Sequence, residues 1–244
     1  MKNFRFIQQR AFTLSHTIHK KVQPSVKTKN SSSYEWLSRQ LSDPFVELAK
    51  RHNYRCRSAF KLIEIDDKFR ILQPGHVVID CGAAPGSWTQ VAVQRVNADS
   101  ALKDRLQGTV LAIDRQPIYP ITGATVLGNS DFTNPKSLEN VLNVLQGRRA
   151  NAVISDMAPN TTGIRELDKE NIIQLCYAAI RFAVMISDKG ASVLVKLWQC
   201  GQIKTLESDV RKFYDNVRFF KPNSSRSDSA EIFLLGRDFK GIKT

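Results

Sequence analysis

Residues 76–88, His-Val-Val-Ile-Asp-Cys-Gly-Ala-Ala-Pro-Gly-Ser-Trp, carry the spacing that most directly implies chemistry. An apolar run ends in Asp80, passes through small residues from Gly82, and starts a helix at Pro85 and Gly86. Small side chains let a backbone approach a ligand closely, and first-turn N–H groups have no partner within their own helix. Strand, tight turn and helix in that order form the nucleotide-cofactor loop of an α/β enzyme. Gly82 and Gly86 give G-x-x-x-G rather than the dinucleotide G-x-G-x-x-G, and no Gly-Lys-Ser/Thr follows to cradle phosphates. What remains is a cofactor with an adenosine and no phosphate, a description that S-adenosyl-L-methionine meets.

Other polar residues sit where apolar runs stop. Asp114 ends Leu-Ala-Ile-Asp, where an acid accepts hydrogen bonds from ribose hydroxyls. Asp131 follows the next run, in Asp-Phe-Thr-Asn-Pro, and reads equally as a cofactor contact or as a turn and cap. Asp156 closes Val-Ile-Ser-Asp-Met-Ala-Pro-Asn. Lys196 is out of place among Leu194, Val195, Leu197 and Trp198. A strand-end lysine can snorkel to water; one held near other cations loses its proton more easily and can act as a base. Glu231 precedes the last apolar run, where an ordinary solvent-facing acid would look the same.

The elements that must position these residues follow from periodicity. Strands are expected at 76–81, 109–113, 124–128, 151–155, 191–197, 216–220 and 230–235, and helices at 86–97, 135–146, 168–187 and 203–214. Two earlier helical stretches, with Pro44 as a break or fresh start and Ser58 as a cap, make a helical extension over 35–75. Repeated strand–helix alternation implies a mostly parallel sheet covered by helices on both faces. The last two strands have only a short loop, 221–229, between them and so pair antiparallel. The expected fold class is α/β, a Rossmann-like class I methyltransferase sheet of seven strands, one of them antiparallel.

The 244 residues can bury one sizeable core, so 35–244 is expected to be a single domain. A formal net charge of +13 favours a polyanionic partner, most simply nucleic acid. Seven of those charges (Lys2, Arg5, Arg10, Lys20, Lys21, Lys27 and Lys29) lie in residues 1–34, which hold no acid. That leader has the composition of a mitochondrial presequence; a disordered basic arm holding RNA is the alternative. Cys56, Cys81, Cys176 and Cys200 form no C-x-x-C pair and no zinc-ligand spacing with histidine, so they are expected as reduced thiols and no metal is expected. No apolar run approaches the length of a membrane span.

Five motifs in order carry a resemblance: Tyr-Arg-Cys-Arg-Ser-Ala-Phe-Lys-Leu (54–62), Asp-Cys-Gly-Ala-Ala-Pro-Gly-Ser-Trp (80–88), Ser-Asp-Met-Ala-Pro-Asn (155–160), Val-Lys-Leu-Trp (195–198) and Lys-Pro-x-x-Ser-Arg-x-x-Ser-x-Glu (221–231). With these the chain resembles the FtsJ family of ribose 2′-O-methyltransferases. The resemblance implies that the family's Lys-Asp-Lys-Glu tetrad falls on Lys61, Asp156, Lys196 and Glu231. It puts cofactor contacts on Pro85, Gly86, Ser87, Trp88, Asp114, Asp131 and Asp156, beside Asp80 and Gly82 of the loop. Cys81 stands where the family often has leucine, and Ser87 where a third glycine often sits.

It further implies methyl transfer from S-adenosyl-L-methionine to a ribose 2′-oxygen, with Lys196 as general base, Lys61 lowering its proton affinity and Asp156 orienting it. The expected substrate is a uridine of mitochondrial large-subunit rRNA, in the assembling subunit of the matrix. A tRNA methyltransferase and an rRNA-binding assembly factor with dispensable catalysis are the other readings. Arg55, Arg57, Lys61, Lys221 and Arg226 are expected to meet phosphates, with Tyr54 or Trp198 either stacking on a base or packing.

Overall fold

The computed structural model describes residue 38 and residues 40–242; the basic leader 1–34 and the expected domain boundary after it lie outside the described residues. The chain divides into two compact units, Met1–Ser42 and Asp43–Thr244, and every element below belongs to the second. Helix α1 (Pro44–Arg51) has Pro44 in its first turn, where a missing N–H costs nothing. Asp43 caps it, accepting from Phe45 N at 3.1 Å. Helix α2 is Ala59–Phe69. Ser58 does not cap it as expected: its hydroxyl is taken by Ser87 Oγ at 2.9 Å, across the cofactor loop.

Strands β1 (Val77–Cys81), β2 (Thr109–Ile113), β3 (Ala124–Leu127), β4 (Ala150–Ser155), β5 (Ser187–Trp198), β6 (Tyr214–Phe220) and β7 (Glu231–Phe239) form one sheet in the order β3-β2-β1-β4-β5-β7-β6. Only β7 runs against the rest, pairing antiparallel with both β5 and β6. Helices α3 (Ser87–Val96), α4 (Pro135–Leu145), α5 (Arg165–Ile186) and α6 (Ile203–Arg211) fill the connections. The expected seven-stranded sheet with one antiparallel strand is thus present. Strand β5 starts four residues early because the polar Ser187 still pairs with Ala150, and β7 runs on to Phe239 by pairing with Tyr214. Backbone hydrogen bonding, not side-chain alternation, sets those ends.

Alternation along the strands splits the core in two. Ile79, Leu111, Val153, Val195 and Leu197 face α4, α5 and α6, with Val141, Ile172 and Leu206 packed on them. Val78, Val110, Ile154, Leu194 and Phe233 face the other way, against Leu62 of α2 and Trp88 of α3. Side chains two apart share a face. Asp156 therefore continues the Ala152–Ile154 face, Lys196 continues from Leu194, and Glu231 precedes Phe233. All three point to the side that carries α2.

Candidate active site

Helix α2 supplies Lys61, which is 8% exposed, one position before the fully buried Leu62. Its ammonium donates to Glu231 Oε2 at 2.7 Å and lies 3.7 Å from Asp156 Oδ1. Lys196 Nζ is 3.0 Å from the same Asp156 oxygen and 3.8 Å from Glu231 Oε2, and it donates to the Asp156 main-chain carbonyl. The sheet register explains this closeness: Lys196 pairs with Phe233 and Trp198 with Glu231, so lysine and glutamate are diagonal neighbours on one face. Two ammonium groups thus alternate with two carboxylates, the arrangement in which buried charge is tolerated. Asp156 Oδ1 is buried and takes no aligned hydrogen bond, so its contacts to the two lysines are ionic.

Glu231 shows the balance of forces. Burial pushes its carboxyl up, but Lys61, Lys196 and the Ser225 hydroxyl together hold it below the usual range. Ser225 Oγ donates to Glu231 Oε1 at 2.8 Å while Lys61 holds Oε2, so both carboxylate oxygens are fixed. Ser225 sits in the β6–β7 loop, and that loop is clamped to α2. Glu64 accepts from Asn223 N at 2.6 Å and Ser224 N at 2.8 Å, and Arg57 donates to Ser224 O. Ser225 lies inside the 221–231 motif, and its bond to the Glu231 carboxylate separates it from Ser229, whose hydroxyl accepts from Glu231 N at 3.2 Å.

The cofactor loop lies at the carboxyl end of β1. Gly82 has φ +73°, and a Cβ there would meet Met157 Cγ at 1.8 Å. Gly86 has φ +111°, and a Cβ there would press on Ile121 at 2.6 Å and Arg55 at 2.8 Å. Both positions require glycine for conformation and for space. Asp114 accepts from Ala84 N at 2.9 Å and Gln116 N at 2.7 Å, which ties the loop to the end of β2 and leaves each oxygen a lone pair. Asp131 accepts from Thr133 Oγ1 at 2.6 Å and Thr133 N at 2.9 Å, and these bonds hold its carboxyl below the usual range. The helix cap is Asn134, so Asp131 forms the turn before it.

Three members of the predicted set are turned inward. Asp80 is 1% exposed and accepts from Thr89 Oγ1 at 2.6 Å. Burial, with the charges of Asp156 and Asp114 nearby, pushes its carboxyl up to about 7 against the Thr89 hydrogen bond. Ser87 Oγ lies 3.0 Å from Cys56 Sγ and 2.9 Å from Ser58 Oγ. Trp88 donates to Ser58 O at 2.8 Å and packs on Phe233. The side chains of Ser87 and Trp88 therefore secure α3 to α2, leaving their backbone to face the loop. Pro85 offers its carbonyl to Arg55 at 2.7 Å.

The basic residues expected to meet phosphates are largely engaged within the fold. Arg55 donates to Pro85 O, Tyr119 O and Pro120 O. Arg57 and Arg226 share Asp43, at 3.0 and 3.3 Å. Lys61 belongs to the tetrad, and the exposed Lys221 reaches only Ser229 O, at 2.7 Å. Tyr54 bonds Gln94 and packs edge-on against Phe60, and Trp198 packs on the core, so both take the packing role. Among the described residues no helix is long and apolar enough to cross a membrane, and no cluster of three potential ligands could hold a metal ion.

Comparison with known proteins points to one family. The profile of the FtsJ-like methyltransferases matches residues 54–239, from the motif before α2 to the end of β7. Over 222 residues the chain is 52% identical to rRNA methyltransferase 2, mitochondrial, of Drosophila melanogaster, covering 91% of this chain and 89% of that one. It is 42% identical over 217 residues to ribosomal RNA large subunit methyltransferase E of Azorhizobium caulinodans, covering 89% and 88%. The crystal structure of a Plasmodium falciparum ribosomal RNA methyltransferase superposes with a TM-score of 0.68 at 25% identity, over 78% of this chain and all of that one. The family match spans the whole sheet and all four tetrad positions, and the chain belongs to the FtsJ-like methyltransferase family.

Proposed function

We propose that this enzyme methylates the ribose 2′-oxygen of a uridine in mitochondrial large-subunit rRNA, using S-adenosyl-L-methionine, with Lys196 as general base. The observation that carries the reading is the convergence of Lys61, Asp156, Lys196 and Glu231 from four separate elements at the carboxyl ends of the strands. Ligands of open α/β sheets bind at those ends. The residues present fit the cofactor. Gly82 and Gly86 take the positive-φ conformations that turn the chain tightly from β1 into α3, and Asp114 keeps lone pairs for ribose hydroxyls. Gly82, Pro85, Gly86, the backbone of Ser87 and Trp88, Asp114, Asp131 and Asp156 would hold it, and Asp80 would brace the loop through Thr89. Bound there, it supplies a methyl group already activated on a sulfonium.

The protein's remaining tasks are alignment and proton removal. In its amine form Lys196 accepts the 2′-hydroxyl proton at Nζ. Asp156 orients that nitrogen, and its carboxylate balances positive charge in the site. Lys61 shares Asp156 Oδ1 with Lys196, so the carboxylate bridges the two nitrogens and fixes their separation. Glu231 fixes Lys61, and Ser225 fixes Glu231. The Drosophila relative is named as mitochondrial, which with the basic leader supports the matrix, where the enzyme would act on rRNA of the assembling subunit.

A 2′-O-methylation map of mitochondrial large-subunit rRNA from cells lacking the protein tests this. One ribose should lose its methyl group, wild type should restore it, and Lys196→Ala should not. An unchanged map rejects the rRNA assignment. Restoration by Lys196→Ala rejects the general base.

A further inference from the structure

With Arg57 and Arg226 paired to Asp43, the surface beside the cofactor loop offers RNA something other than those two charges. Among the described residues the two most exposed large apolar side chains are Tyr119, at 84%, and Leu106, at 76%. They lie at opposite ends of the sheet. Leu106 covers Gly75, just before the amino end of β1. Tyr119 belongs to the β2–β3 connection at the carboxyl ends. Its neighbours Pro117 and Ile118 pack over Gly128, the residue after β3, with atoms 3.3 and 3.2 Å from where a Cβ would be. Ile121, two residues on, lies against Gly86 of the cofactor loop.

The ring is exposed but its backbone is held. Pro117 and Pro120 flank it and restrict φ on both sides. Arg55 grips the turn with its guanidinium: Nη1 donates to Tyr119 O at 2.9 Å and Nη2 to Pro120 O at 2.7 Å. Nη1 also donates to Pro85 O at 2.7 Å, so one side chain ties this turn to the cofactor loop. Arg55 is itself fixed, its N–H donating to Gln90 Oε1 at 2.9 Å. All three of these guanidinium bonds go to carbonyls, so no carboxylate among them neutralises the charge under the turn. A packed tyrosine needs no such scaffold, and a fully solvated aromatic gains nothing from one. An exposed aromatic side chain on a held backbone, with a guanidinium bound to that same backbone, is a surface on which an unstacked base can lie.

We propose that Tyr119 is a stacking platform for an unpaired base of the substrate RNA, beside the nucleotide presented to Lys196. The proposal rests on the rRNA methyltransferase reading and names a contact it requires. Tyr119→Ala removes the ring and leaves the Arg55 bonds, which go to main-chain atoms. Full-length protein would be titrated with a fluorescent single-stranded RNA spanning the methylated site, the same sequence annealed into a duplex, and S-adenosylhomocysteine. Tyr119→Ala should weaken single-strand binding about 5- to 100-fold, with Tyr119→Phe and Tyr119→Trp close to wild type. Duplex and S-adenosylhomocysteine affinities should not move.

Unchanged single-strand binding by Tyr119→Ala overturns the platform. Equal losses in Tyr119→Ala and Tyr119→Phe assign the contact to the hydroxyl and overturn stacking. A matching loss of S-adenosylhomocysteine affinity makes the ring an adenine contact of the cofactor instead. Wild-type protein that binds no RNA removes the platform together with the reading beneath it. Loss of the platform alone leaves wild-type binding and methylation intact.

Discussion

The cofactor loop and the tetrad are built in different ways. Gly82, Pro85 and Gly86 lie in a single turn between β1 and α3, so their relation is fixed by a few backbone angles. Lys61 and Glu231 are 170 positions apart and meet only because α2 packs on the β7 face of a sheet whose strands are out of chain order. The loop tolerates little change in any one residue, and Asp114 and Arg55 brace a turn whose shape its own backbone sets. The tetrad inverts this: each side chain is ordinary, and its value comes from the others within 4 Å. Local geometry thus makes the cofactor side, and tertiary assembly makes the reacting side.

The largest effect should come from the assembled side. Lys196→Ala removes the group assigned to the proton and leaves Asp156 and Glu231 with one lysine between them. Single-turnover methyl transfer should fall by about 10²–10⁴-fold, with S-adenosylhomocysteine affinity within a few-fold of wild type. A loss shared equally between transfer and cofactor binding would break the comparison, because the two sides would then be one structural unit.

On the loop side the next effect is one of stability with pH. Asp80 has a carboxyl near 7 in the fold against 3.8 ordinarily. Between those values the folded chain holds a proton that the unfolded chain has released, so stability falls as pH rises through the window. Asp80→Asn cannot ionise and avoids that cost. Without cofactor its melting temperature should match wild type near pH 4 and exceed it by several degrees at pH 8, on the order of 1–4 kcal/mol. A constant difference across that range would mean that Asp80 is ionised in the fold throughout.

These two sides also differ in how far the sequence reveals them. The strand–turn–helix pattern at 76–88 reads directly, because apolar alternation and glycine placement are local signals. The sheet was equally legible, while its ends at Ser187 and Phe239 were not, since backbone pairing of polar residues leaves no apolar pattern. Lys196 was visible as a charge among Leu194, Val195 and Leu197. Lys61 was not, because a lysine on an amphipathic helix looks like any solvated one, and it entered only through the family motif. Glu64 and Tyr119 left no trace: their roles depend on Asn223 and Ser224 and on Arg55, far away in the chain. Ser225 stood in the 221–231 motif, but nothing in the sequence marks its bond to the Glu231 carboxylate. Ser58 misled for a related reason, its plausible local role as a cap giving way to a distant partner, Ser87.

Ser225 sharpens the point with a smaller effect. It touches neither lysine, yet it holds the Glu231 oxygen that Lys61 does not. Ser225→Ala should lower kcat about 3- to 10-fold with KM little changed, the loss expected for one hydrogen bond to a buried carboxylate. Ser225→Thr, which keeps the hydroxyl, should recover most of it. A serine needed only to fold the β6–β7 loop would instead lower the melting temperature without separating kcat from KM.

The smallest effect separates two cations of that same loop. Arg226 is 3.3 Å from Asp43, which it shares with Arg57, whereas Lys221 is exposed and bonds only the Ser229 carbonyl. A cation already opposed by a carboxylate releases few counterions from RNA, and an unopposed one releases about 0.7 per single-strand phosphate it meets. The slope of log affinity against log salt should therefore shallow by about that amount in Lys221→Ala and stay at the wild-type value in Arg226→Ala. If Arg226→Ala shallows the slope and Lys221→Ala does not, RNA phosphate must displace Asp43 from the arginine pair. The clamp that holds the β6–β7 loop would then open when substrate binds, and the tetrad would be assembled by RNA rather than ahead of it.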